Sequence, residues 1–258
     1  MSFIKAWFKK FFAPITEKPL VVVVPSYNNA LWYKKNLDSI FDQNYSNYRI
    51  IYLDDASPDK TAQLVEEYIK EKGQEYRTIL IKNEQRLGAT ANRYAGSHLC
   101  KDNEIVLILD GDDWFAHNNV LKKINMVYSK KDIWVTYGQY RRYPSNEKGH
   151  CKRLPQSFNF RVSTCYYTSA LRTYYAWLFK KIDKQDLMHN GKFYQIAGDV
   201  AEMLPMVEMA RGHIAFISEV LYIYNNQTPL NDFKKDYQAQ LATCANIRDK
   251  LAYQQLDK

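Results

Sequence analysis

Between Pro19 and Tyr137 the chain alternates short apolar runs with amphipathic stretches; the runs are Leu20–Val24, Arg49–Leu53, Thr78–Ile81, Ile105–Leu109 and Ile133–Tyr137. Such runs read as strands joined by helical crossovers, which dictates an α/β fold built on a mostly parallel sheet. Their near-continuous apolarity implies helices on both faces. The second helix carries its own punctuation, with Ser57 as cap, Pro58 at the first helical position and Gly73 as terminator. In a sheet of this kind ligands lie beyond the carboxyl ends of the strands. Those ends carry Pro-Ser-Tyr-Asn-Asn from Pro25, Asp-Asp-Ala-Ser from Asp54 and Asp-Gly-Asp-Asp from Asp110, so three polar clusters are expected in one crevice.

The third cluster has the most pointed chemistry. Asp110, Asp112 and Asp113 follow the strand with one glycine between them, and crowded carboxylates repel unless a cation or a basic partner neutralises them. Hard oxygen ligands suit Mg²⁺ or Mn²⁺, ions that keep positions open for substrate phosphates. The plain alternative is a turn, for which Asp and Gly are ordinary residues.

A length of 258 residues suits one substantial domain with decorations. Hydrophobic and charged shares of 46% and 25% belong to a globular protein without low-complexity segments. No apolar stretch approaches the roughly 20 residues of a spanning helix. Cys100, Cys151, Cys165 and Cys244 show no CxxC spacing, and the five histidines no metal-ligand spacing, so neither a zinc site nor a disulfide framework is indicated and a cytoplasmic setting is the default. A net charge of +8 favours anionic partners, yet no nucleic-acid module is recognisable and none is expected as a partner. Near the N-terminus Phe3, Ile4, Trp7, Phe8, Phe11 and Phe12 recur at helical spacing among Lys5, Lys9 and Lys10. That pattern fits a short basic amphipathic helix, either a peripheral membrane contact through residues 3–12 or a helix docked on protein.

After Tyr137 a polar, basic and aromatic stretch begins at Gly138 without clear period and reads as a long loop. It precedes a helix expected around Leu171–Ile182, a helix opened by Gly198 and Asp199, a strand through Phe216–Tyr224, and a final helix from Asn231 to about Leu256. That last helix aligns Phe233, Tyr237, Leu241, Cys244 and Leu251 as a packing stripe. The division that follows is 1–18 as N-terminal segment, 19–228 as main domain, with halves 19–137 and 138–228, and 229–258 as C-terminal helix.

Four motifs in order, Val-Val-Val-Val-Pro-Ser-Tyr-Asn-Asn, Tyr-Leu-Asp-Asp-Ala-Ser with Asp59 and Thr61, the run from Asn83 through Leu-Gly-Ala-Thr-Ala-Asn-Arg, and Leu-Ile-Leu-Asp-Gly-Asp-Asp-Trp, cover roughly residues 19 to 137. They resemble the inverting, nucleotide-sugar-dependent glycosyltransferases of family 2. The resemblance implies a GT-A, Rossmann-like fold with C-terminal acceptor-side elements. It implies a nucleotide pocket of Pro25, Ser26, Tyr27, Asp54, Asp55 and Arg93, with Asp112 shared by the metal. It also implies Mn²⁺ or Mg²⁺ on Asp113 foremost, with Asp112 and Asp110, and a donor such as a UDP-sugar. The acceptor is a glycan, a lipid-linked molecule or a protein.

The family's general base matches Asp199, although the acidic residue that commonly precedes it is Gly198 here. Asp199 and Glu202 also have capping-box spacing, and Glu202 is the alternative base. Arg172, Arg141 and Arg142 are candidates for the pyrophosphate, and Trp177 for sugar stacking, against solvated and core placements respectively. Gly88 and Gly96 fit turn and close-packing duties, and no GxGxxG phosphate loop is present, which disfavours a nicotinamide dehydrogenase. The rival readings are a nucleotidyltransferase, whose Gly-rich basic loop is missing after the first strand, and an inactive glycan- or nucleotide-binding relative.

Overall fold

The computed structural model describes residues 16–130, 132–155, 158–159, 161–162, 167–228 and 237–257. The proposed amphipathic segment 3–12 and the start of the expected final helix lie outside them.

The expected strands form with shifted ends: β1 Leu20–Ser26, β2 Tyr48–Asp54 and β3 Thr78–Lys82 are slightly longer, β4 Ile105–Ile108 is one residue shorter and β6 Val135–Tyr143 starts and ends later, with a two-residue β5 at Trp114–Phe115. Crossovers α1 Tyr33–Phe41, α2 Thr61–Glu71, α3 Ala89–His98 and α4 Val120–Tyr128 connect them. The later chain adds β7 Arg172–Tyr175, α5 Ala176–Phe179, a small hairpin of β8 Met188–His189 and β9 Lys192–Phe193, α6 Gly198–Met209, β10 Ile214–Asn225 and α7 Tyr237–Asp249.

One eight-stranded sheet has the order β3-β2-β1-β4-β7-β6-β10-β5. β3, β2, β1 and β4 run parallel, β6 and β10 keep that direction, and β7 and β5 are antiparallel. Alternation along β1 splits the core by the two-residue period of a strand. Val21 and Val23 pack with Ile51, Val106, Phe179, Met203 and Val207 on the α6 face. Leu20, Val22 and Val24 pack with Leu37, Ile40, Val65 and Ile124, beneath α1, α2 and α4. Each such side chain contributes about 1.5–3 kcal/mol by leaving water, and the doubly covered strands account for the apolar runs. α3 can lie close on β1 because Gly96 has no side chain; a Cβ there would meet Val23 at 2.5 Å.

Several local expectations are corrected. Ser57 does not cap α2, which starts at Thr61 after Lys60; its hydroxyl and amide bind Asp54 at 2.6 and 3.0 Å, so Ser57 and Pro58 belong to the approaching turn. Gly73, at φ +59 beyond the last helical turn, ends that helix as expected. The helix expected at Leu171–Ile182 is instead β7 followed by the single turn α5, because Arg172–Tyr175 fills the gap between β4 and β6. The loop expected from Gly138 begins as strand, since β6 runs to Tyr143 beside β10. The stripe on the last helix breaks down: Leu251, beyond the helix end at Asp249, is 91% exposed, whereas Cys244 and Ile247 are buried.

Candidate active site

The carboxyl ends of β1 and β4 and the amino end of α6 enclose a cavity of about 320 Å³. Pro25, Ser26, Tyr27, Asp55, Arg93, Asp110, Asp112, Asp113, Arg172 and Asp199 all lie on its wall. Three sequence clusters therefore converge with Arg93, Arg172 and Asp199. Asp54 is not on the wall; both its oxygens hold Ser57. Glu202, Arg141, Arg142 and Trp177 are also off it. Arg141 and Arg142 bind Asn146 and Glu147 in their own hairpin, and Trp177 packs edge-on to Trp134 in the core.

The acidic turn is built from outside itself. Asn36 on α1 donates to the carbonyls of Asp110 and Asp113 at 3.0 and 2.8 Å, and the Gly111 amide donates to Pro25 O at 2.9 Å. Only a glycine fits at 111, since a Cβ would stand 2.7 Å from Ser26 and from Asn29 Nδ2. Asp113 is 2% exposed and accepts from the Tyr222 hydroxyl and, at 2.6 Å, from the Asn225 amide, both on β10. Burial, then the charges of Asp112 and Asp110, push its carboxyl well above the usual carboxylate range.

All three carboxylates of the turn line the cavity, Asp113 buried and held by Tyr222 and Asn225, and Asp112 half-buried. A divalent cation fits the concentrated negative charge. Among the described residues no three His, Cys, Asp or Glu side chains are grouped so as to hold a metal ion by themselves.

Two buried guanidiniums face the same turn. Arg93 Nη1 lies 3.9 Å from one oxygen of Asp110, and Arg172 Nη2 lies 3.7 Å from the other. From α6, Glu202 grips Arg93 Nε at 2.7 Å. Burial works against the charge on Arg93 and Glu202 restores it, while burial raises the Glu202 carboxyl against the pull of Arg93 and Arg172. Glu202 is thus bound to Arg93, 1% exposed and off the cavity wall. The absence of a side chain at position 198 has a steric cause: a Cβ there would come within 1.9 Å of Thr90 Oγ1 and 2.7 Å of Arg93 Nη2.

Asp199 is the second residue of α6, and the capping box is not formed, because Ala197 at φ 56 precedes the helix without a side-chain cap. One oxygen of Asp199 accepts from the amide of Val200 at 3.0 Å; the other is 3.6 Å from Arg172 Nη1. With its side chain 33% exposed on the cavity wall, it is open to a substrate hydroxyl.

On the opposite side Asp55 accepts from Asn83 Nδ2, the Leu87 amide and the Gly88 amide at 2.9, 2.9 and 2.8 Å. Burial would raise its carboxyl, but hydrogen bonds from Asn92, Leu87, Asn83 and Gly88 hold it below the ordinary value. It therefore braces the 83–88 loop from the cavity wall. The Arg86 guanidinium lies 4.0 Å over the Tyr27 ring at the cavity wall. Arg86, Asn36, Tyr222 and Asn225 escape the sequence reading. Arg86 beside the Leu-Gly-Ala-Thr run offers a weak signal; the others act through tertiary contact and offer none.

A family model for glycosyl transferase family 2 matches residues 21–194. The glycosyltransferase GlyG of Streptococcus pneumoniae is 28% identical over 126 residues, 49% of this chain and 40% of that protein. The Escherichia coli protein WfgD, a UDP-Glc:α-D-GlcNAc-diphosphoundecaprenol β-1,3-glucosyltransferase, is 30% identical over 124 residues, 46% of this chain and 44% of its own length. The matched stretch thus spans less than half of either relative. Among solved structures, Staphylococcus aureus TarS in complex with UDP-GlcNAc superposes with a TM-score of 0.62 at 21% identity, over 85% of this chain and 61% of that one. The mannosyltransferase PcManGT of Pyrobaculum calidifontis, in complex with GDP-Man and Mn²⁺, gives 0.61 at 16% identity, over 97% and 72%. At these identities the likeness establishes the fold, which is GT-A.

Proposed function

Because the chain belongs to glycosyltransferase family 2, we propose that it moves a sugar from a nucleotide-diphosphate donor, UDP foremost, to an acceptor hydroxyl with inversion. The observation that carries this reading is Arg172, which stands between Asp110 of the acidic turn and the half-exposed Asp199 across one cavity. Tyr27 and Arg86 flank the base, in a pocket whose loop Asp55 shapes. Arg93 and Arg172 face the diphosphate with delocalised charge and forked donors.

Asp112 and Asp110 would hold Mn²⁺ or Mg²⁺, and Asp113 braces them from below. When bound, the ion offsets charge collecting on the leaving diphosphate. Asp199 takes the proton of the acceptor hydroxyl as the oxygen attacks the anomeric carbon. The transfer machinery occupies 19–228, with the nucleotide side in 19–137 and the acceptor side in 138–228, while the helix within 229–258 brings Gln240 to the wall. The acceptor belongs to the glycan, lipid-linked or protein classes.

Gly198 gives no support to an inactive relative, since Thr90 and Arg93 fill its space and Glu202 supplies a carboxylate to Arg93. A panel of nucleotide sugars, assayed for Mn²⁺-dependent release of the nucleotide, tests the reading. Asp199→Asn should lower turnover by about 10²–10⁴-fold, as loss of a general base does. Wild-type rates in Asp199→Asn, or in Asp112→Asn with Mn²⁺ present, would dismiss it.

A further inference from the structure

Asp110 pairs in this structure with two cations that each have a second carboxylate partner. Arg93 is held by Glu202 at 2.7 Å, and Arg172 also reaches Asp199 at 3.6 Å. Both guanidiniums are nearly buried, whereas the Asp110 side chain is 34% exposed on the cavity wall. The contacts to Asp110, at 3.9 and 3.7 Å, exceed hydrogen-bond length. They are ion pairs without directional bonds, which a better anion displaces at small cost.

The same three groups face the space where the proposed diphosphate lies. A phosphate offers each guanidinium short, charge-assisted bonds, and a divalent cation offers Asp110 a harder partner than either arginine.

We infer that Asp110 works by exchange of partners: it is the internal anion of Arg93 and Arg172, and yields both to a diphosphate while a divalent cation takes Asp110 in their place. The inference rests on the nucleotide-site reading above. It makes metal and diphosphate binding mutually dependent through one side chain. Without a metal, a nucleoside diphosphate must compete with the Asp110 carboxylate for the arginines and is repelled by it. With a metal, the same carboxylate changes from competitor to support.

Calorimetric titration of the full chain with UDP, in EDTA and in Mn²⁺, separates the possibilities. The wild type should bind UDP markedly more tightly with Mn²⁺. Asp110→Asn, which keeps shape and loses charge, should bind metal-free UDP about threefold or more tightly than wild type, the scale of one partly exposed charge. It should also lose most of the Mn²⁺ enhancement. Asp110→Ser serves as a second variant should the amide impair folding. Arg172→Gln should weaken UDP in both conditions and retain the enhancement, because Asp110 remains.

Metal-free UDP binding that is unchanged or weaker in the Asp110 variants, or an enhancement that survives them, overturns the exchange. Failure of the wild type to bind UDP in either condition rejects the nucleotide-site reading itself, and the exchange with it.

Discussion

Gly198 and Arg93 occupy adjoining space that admits no side chain on the glycine: a Cβ at position 198 would lie 2.7 Å from Arg93 Nη2. The neighbour that would have to give on the other side is Thr90, whose hydroxyl donates to the Tyr194 carbonyl at 2.6 Å. Gly198→Ala should therefore displace Arg93 or break the Thr90 bond, with a loss of about 1–3 kcal/mol typical of overpacking. UDP affinity should fall with it. Thermal denaturation and calorimetry of the variant check both effects, and an alanine enzyme with wild-type melting and affinity would show that the contact yields without consequence.

Asp55 makes a pH-dependent contribution. Its carboxyl is held below its ordinary value in the folded protein by four donors around the 83–88 loop, against the opposing effect of burial. A depressed folded value means that the stabilisation is present above the unfolded value of about 3.9 and is lost as pH falls through the folded value. Asp55→Asn turns an amide donor toward the Leu87 and Gly88 amides. The expected cost at pH 7 is about 1–3 kcal/mol, the range for a buried polar group left without a partner. Urea denaturation of both proteins should show this gap closing below about pH 4. A gap that is constant with pH would remove the ionised carboxylate from the explanation.

Gly111 ties two motifs together, because its amide donates to Pro25 O and its missing side chain leaves room for Ser26 and Asn29. Ser26 is itself fixed by the hydroxyl of Tyr52 at 2.8 Å and by Asn29 Nδ2 at 3.0 Å, so it has little room to retreat. Gly111→Ala should push the acidic turn away from the end of β1. The expected result is weaker Mn²⁺-dependent UDP binding with a melting loss equivalent to about 1–3 kcal/mol. Unaltered metal-dependent binding would mean that the turn and β1 move apart without harm to the site.

The parallel core was legible because its signal is local: five apolar runs that become five strands, with polar clusters at their carboxyl ends. Arg172–Tyr175 was not, because its aromatic, partly apolar residues suit a helix as well as a short buried strand, and only the gap between β4 and β6 decides. Asp112 and Asp113 show a similar limit. Adjacent carboxylates are indistinguishable in sequence, and which one turns inward depends on Tyr222 and Asn225, more than a hundred residues away. The spacing of Asp199 and Glu202 suggested a cap, but buried Arg93 claims Glu202, and a tertiary ion pair outweighs a local pattern.

The start of the described chain bears on how residues 1–12 act. Thr16 O accepts from Asn125 Nδ2 at 3.2 Å, the Lys18 amide donates to Asn125 Oδ1 at 3.1 Å, and Glu17 accepts from the amides of Ser46 and Asn47 at 3.0 Å each. Residues 16–18 are thereby held beside α4 and the start of β2. The sequence of residues 1–12 places Phe3, Trp7, Phe8, Phe11 and Phe12 against Lys5, Lys9 and Lys10. Apolar burial and about 1 kcal/mol per lysine near an anionic surface would together give reversible binding. The 258-residue chain should therefore sediment with vesicles containing anionic lipid, less so at high salt, and deletion of residues 1–12 should abolish sedimentation while nucleotide-dependent stabilisation by UDP persists. Equal sedimentation of both proteins would assign membrane contact elsewhere. A deletion that lowers the melting temperature without changing sedimentation would favour a helix docked on protein.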